Sequence, residues 1–144
     1  MKSLVFCCAI LILLLIGCKK SKSTNTSSEE FGTLSERKEF LEQYVSFRRG
    51  YDELHFNLNF MDGSTGMVPG PTEWDIRIFA IVPEEEIELW SEGLAECGEP
   101  ELSWTSAIPC APTDYSQYVW YEGAKVTVGV KPRSRAIVYW NRVY

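Results

Sequence analysis

The spacing of apolar positions divides this chain into segments of different kinds. Leu4 to Ile16 is an apolar-rich run of 13 residues, too short for the roughly 20 that a helix needs to cross a bilayer. Lys19 to Glu30 (KKSKSTNTSSEE) then holds no apolar residue. From Leu34 the apolar side chains fall at helical spacing, with Leu41, Tyr44 and Val45 on one stripe. Thr33 and Glu36 have capping-box form in front of that stripe and Gly50 supplies a stop, which predicts a helix from about Leu34 to Arg49. Leu54, Phe56, Leu58 and Phe60 alternate with His55, Asn57 and Asn59, the period of a half-buried strand. Met61 to Glu73 (MDGSTGMVPGPTE) is too rich in Gly and Pro for a regular element.

Trp74 to Val82 predicts a second strand, and Ile78 to Val82 is apolar on both faces, which places it centrally in a sheet. Pro83 suits the first turn of a second helix, with Glu84, Glu85 and Glu86 where the helix dipole favours negative charge. Ile87, Trp90 and Leu94 form its inner stripe, and Glu84, Glu88, Glu92 and Glu96 its outer one. Three further strands follow at Gln117–Tyr121, Lys125–Val130 and Ala136–Arg142, joined by turns as a meander. Two helices on an antiparallel sheet of about five strands make a single α+β domain.

The amino-terminal run changes the picture of where this domain works. Its length fits the hydrophobic region of a secretory signal, and Leu15-Ile16-Gly17-Cys18 resembles the lipobox of bacterial lipoproteins. That resemblance covers about the first 20 residues. It implies that residues 1–17 are a signal peptide removed by signal peptidase II, and that Cys18 becomes the acylated first residue. At about 0.8 kcal/mol per buried CH₂, two or three acyl chains hold a protein stably on a membrane. Residues 18–30 then read as a flexible tether with a reach of about 20 Å, and residues 31–144 as the folded domain. The expected location is the bacterial cell envelope, on the outer or inner membrane, with the body in the periplasm or at the cell surface. Asp, the enteric avoidance signal, is absent after Cys18. Lys20-Ser21, in contrast, resembles an inner-membrane retention pair of pseudomonads.

Charge narrows the partners. Four of the 14 basic residues precede Glu29, whereas all 20 acids lie from Glu29 onward, so the body carries about −10. Such a balance argues against a nucleic-acid surface, which needs clustered cations, and favours a cationic protein partner. Glu84 to Glu101 holds eight acids and no base, and Gly123 to Tyr144 holds five bases and no acid. Those two segments predict a negative and a positive side, unless they pack together and cancel.

Candidate chemistry is thin. One histidine, His55, rules out a multi-histidine metal centre, and neither a calcium loop nor a zinc pattern is present, so no metal or cofactor is expected. A Ser64–His55–Asp75 arrangement could form across neighbouring strands, but Gly63-Ser64-Thr65-Gly66 lacks the spacing of a nucleophile elbow. Cys97 and Cys110, the thiols left after processing, are expected to bridge in an oxidising compartment. What remains is binding: Met67, Val68 and Trp74 as apolar anchors around the Gly/Pro-rich loop, and Glu84, Glu88 and Glu92 as an acidic docking face. The expectation is an envelope protein that binds rather than catalyses, such as an inhibitor or immunity-type protein against a secreted or wall-degrading enzyme. An assembly accessory of an envelope complex is the alternative, and a hydrolase built on His55 ranks last.

Overall fold

The structure, a computed structural model, describes residues 23–64 and 70–144. Cys18, Met67 and Val68 therefore lie outside the described residues. Seven strands are found there: β1 (Thr24–Ser27), β2 (Glu53–Asp62), β3 (Thr72–Ile81), β4 (Ala95–Cys97), β5 (Val119–Glu122), β6 (Val126–Lys131) and β7 (Ala136–Val143). They form one antiparallel sheet in the order β1-β2-β3-β7-β6-β5-β4. Helix α1 (Leu34–Leu41) crosses one face. The protein is thus α+β on an antiparallel sheet, but with seven strands where about five were expected.

Both additional strands lie at the edges, where backbone pairing rather than side-chain pattern makes the strand. Thr24–Ser27 carries no apolar residue, and by sequence it belongs to the flexible tether. Its four residues pair with Asn57–Phe60 of β2, with Thr26 buried opposite Leu58. A capping box then closes the next turn, the Ser27 amide donating to Glu30 Oε1 at 2.9 Å. The other addition, β4, takes Ala95–Cys97 out of the predicted second helix and pairs it with Trp120–Glu122.

The predicted capping box of α1 is present: the Thr33 amide donates to Glu36 Oε2 at 2.9 Å, and Thr33 Oγ1 accepts from the Glu36 amide at 3.2 Å. The helix ends at Leu41 rather than Arg49 because Tyr44, Val45 and Phe47 are drawn separately into the core. Phe47 meets Trp90 and Tyr139 edge-on, at 5.3 and 5.7 Å between centroids. Pro83 to Leu94 also departs from the expected α-helix. It forms two short 3₁₀ turns, Glu84–Glu86 and Glu88–Trp90, whose amides reach back three residues. Gly93 at φ +75° then turns the chain, a conformation that glycine adopts without steric cost. Ile87, Trp90 and Leu94 still face inward, so the inner stripe is present without the helical pitch.

Strand alternation gives two packed faces. Leu54, Phe56, Ile78, Ile137, Tyr139 and Val128 belong to the face under α1 and Trp90. Phe79, Val138 and Trp120 belong to the opposite face, which the irregular segment 98–118 covers with Trp104, Ile108 and Tyr118. The central placement expected of β3 follows from its apolar residues on both sides, and it lies between β2 and β7. The sheet has two ends: one carries the β2–β3 loop with Val143 and Lys125, the other the β6–β7 turn at Pro132–Arg135.

Candidate functional site

An open cleft of about 680 Å³ lies beside the two 3₁₀ turns, towards the β6–β7 turn end. Glu84, Glu85 and Glu88 form its rim. Ile87, Tyr121, Val130 and Pro132 supply its apolar surface. The 3₁₀ pitch breaks the expected four-residue stripe. Glu84 and Glu88 reach the cleft, Glu92 is exposed outside its lining, and Glu96 sits on β4 opposite Tyr121. None of the eight acids from Glu84 to Glu101 joins an ion pair among the described residues. Glu101 is instead bound locally: its carboxylate accepts from the Ser103 amide at 2.6 Å and hydroxyl at 2.7 Å, which holds its pKa below the usual carboxylate range.

The basic segment does not form a separate side. Pro132 lines the acidic cleft and also a second depression with Lys131 and Arg133. Arg135 is engaged by Asp52 and by the Val82 carbonyl at 3.1 Å. Lys125 and Arg142 lie at the opposite end of the sheet. The charges are therefore interleaved at one end rather than divided between two sides. Tyr121, Val130 and Pro132 were not singled out in the sequence, because nothing local marks which strand residues will border a cleft made by a distant turn.

The candidate catalytic residues are kept apart. His55 and Asp75 share a sheet face, but Asp75 pairs with Asn59, four residues along β2 from His55. At about 3.4 Å per residue, that is about 14 Å along the strand direction. Each has other partners. His55 is buried, with Nε2 2.8 Å from Glu53 Oε1 and its ring stacked on Phe79. The buried Asp75 carboxylate accepts from Arg77 Nε at 2.9 Å, Trp140 Nε1 at 2.8 Å and the Tyr144 hydroxyl at 3.0 Å. The Ser64 amide donates to Asp62 Oδ1 at 3.0 Å. Among the described residues no group of three or more His, Cys, Asp or Glu side chains could hold a metal ion.

Cys97 and Cys110 stand as free thiols in the structure, Cys97 half-buried on β4 and Cys110 exposed at φ +57°. Burial, with Glu122 and Glu96 nearby, pushes the Cys97 thiol up. Those neighbours disfavour the thiolate that a nucleophile requires. Of the loop anchors, Trp74 belongs to β3. Its indole donates to Asn141 Oδ1 at 2.6 Å, and the Lys125 ammonium lies 5.8 Å from its ring centroid.

No helix among the described residues is long and apolar enough to cross a membrane. In comparisons with known proteins, no family model matches the chain, and neither a curated protein nor a solved structure matches it.

Proposed function

We propose that this is a lipid-anchored protein of the cell envelope, held by Cys18, that acts by binding a cationic protein partner. The most specific form of the proposal is an inhibitor or immunity-type protein that caps a secreted or wall-degrading enzyme. One observation carries it: exposed carboxylates without ion-pair partners, Glu84, Glu85 and Glu88, ring an apolar surface of Ile87, Tyr121, Val130 and Pro132. Unpaired surface acids raise the encounter rate with a cation-rich partner, and a desolvated apolar centre gives the bound state its lifetime. An assembly role has its own support in the open backbone edges of β1 and β4, to which a partner strand could add.

Titration of the purified lipoprotein against cationic cell-wall hydrolases tests the proposal. Glu84→Gln with Glu88→Gln should slow association several-fold at low salt and much less at high salt, because screening removes the steering. Tyr121→Ala should instead speed dissociation. Association independent of both salt and these carboxylates would remove the cleft from the binding surface.

The proposal places the body in an oxidising space, where Cys97 and Cys110 are expected to join. Closing that loop would stabilise the fold by about 3 kcal/mol. Non-reducing peptide mass mapping of exported protein should find the two linked. Complete alkylation of both without a reductant would show that they remain thiols.

A further inference from the structure

The chain enters the fold at the β2–β3 loop end of the sheet. Thr24 opens β1 opposite Phe60, and Ser23 Oγ accepts from the Asp62 amide at 2.9 Å. Only Lys19, Lys20, Ser21 and Lys22 separate Ser23 from Cys18. Five fully extended steps reach at most about 17 Å. A folded body of about 115 residues has a radius of gyration of about 13 Å and is thus over about 30 Å across. A tether shorter than the body it holds leaves one end of that body beside the lipid.

That end carries the side chains suited to a lipid–water interface. Met61 is 52% exposed and Tyr144 77% exposed. Trp74, Phe60 and Val143 form one half-buried cross-strand row, with the exposed Lys125 over the Trp74 ring. Arg142 lies one residue further in, its guanidinium 3.7 Å from the Trp140 centroid. Aromatic rings with cations beside them favour the headgroup layer, where the ring is amphipathic and the cation meets phosphate. The opposing acids at this end are Asp62, Glu73 and Glu122, the last closing β5 beside the turn that carries Lys125. Asp75 is held by Arg77, and Glu84, Glu85 and Glu88 lie at the other end of the sheet. Lys125 and Arg142 do not outweigh the acids of this end by themselves, and it is the three tether lysines, Lys19, Lys20 and Lys22, that make the balance positive.

We propose that this end of the sheet, through Met61, Trp74, Lys125 and Tyr144, docks onto the anionic lipid surface that holds Cys18. The inference rests on the anchor at Cys18. Docking orients the body with the acidic cleft facing away from the membrane, where a soluble partner can reach it.

The test uses the whole lipoprotein, purified and reconstituted into vesicles of phosphatidylethanolamine and phosphatidylglycerol that contain a spin-labelled lipid. Part of the tryptophan emission should be quenched, and Trp74→Phe should remove most of that part, since Trp90, Trp104 and Trp120 are buried and the half-buried Trp140 is covered by Trp104 and Arg142. Lys125 is exposed, so Lys125→Gln leaves the fold intact. It should reduce the docked-to-undocked ratio about five-fold, the value of one cation near an anionic surface. Equal quenching in wild type and Trp74→Phe, or no quenching at all, overturns the docking. Palmitate labelling of the same preparation separates the two levels. Labelled protein without Trp74 quenching overturns docking alone, whereas absence of label on Cys18 overturns the anchor and the docking with it.

Discussion

Replacing Asp75 with alanine is expected to lower the melting temperature by about 10–20 °C, the consequence of stranding one member of a buried ion pair at about 3–5 kcal/mol. The Asp75 and Arg77 side chains are 11% and 23% exposed, too covered for water to replace the lost partner well. Three donors lose their acceptor together: the Arg77 guanidinium, the Trp140 indole and the Tyr144 hydroxyl. Asp75→Leu combined with Arg77→Leu should recover most of the loss, because removing both charges also removes their desolvation. A thermal double-mutant cycle measures this directly. A fall of less than about 3 °C for Asp75→Ala would mean that the pair behaves like a solvated surface bridge.

The second large effect is a penalty at Gly129 that depends on its neighbour Trp120. A Cβ at this position would come within 2.7 Å of both Trp120 Cζ3 and Val138 Cγ2. Trp120 is 3% exposed and Val138 fully buried, so neither can retreat. Gly129→Ala should therefore cost about 1–3 kcal/mol through overpacking. Trp120→Ala should cost about 3–5 kcal/mol as the lining of a new cavity loses its contacts. In that background Gly129→Ala should cost clearly less, since the clash with the Trp120 ring is gone while the one with Val138 Cγ2 remains. Denaturant melts of the four proteins decide it. A constant penalty for Gly129→Ala in both backgrounds would show that the Trp120 ring is not what requires a glycine there.

Those two clusters show what the sequence made legible. The five strands with apolar alternation all form, and β3 is central as its two-sided apolar end required. Thr24–Ser27 escaped because an edge strand made of TNTS is held by backbone bonds and one buried threonine, Thr26, neither of which leaves a hydrophobic period. The Glu84–Leu94 segment was misread for the opposite reason. Its inner residues repeat at helical spacing, yet the burial of Trp90 and the turn at Gly93 fix a tighter pitch. Segment 98–118 has no period at all, though it supplies the aromatic cover of a second core. Of the cleft's acids, Glu84 and Glu88 follow from charge and spacing, whereas Glu85 replaces the expected Glu92 because the turns are 3₁₀ and not α-helical. The apolar wall of the cleft was not legible, because Tyr121, Val130 and Pro132 approach the glutamates only after β5 and β6 are paired. Asp75 and Arg77 had a usable signal in hindsight: opposite charges two apart on a strand share a face.

The position of β7 sets a condition on when this protein can exist as a folded object. It is the last strand in chain order, yet it lies between β3 and β6 and is the piece that joins β1–β3 to β4–β6. For a chain delivered amino end first, by a ribosome or through a translocation channel, the earlier strands arrive as two fragments. Each has a row of backbone groups awaiting the same partner. Phe79 waits for Val138, and Val128 for Tyr139, so neither core can close early. The topology thereby makes the arrival of one eight-residue strand the event that closes both cores at once.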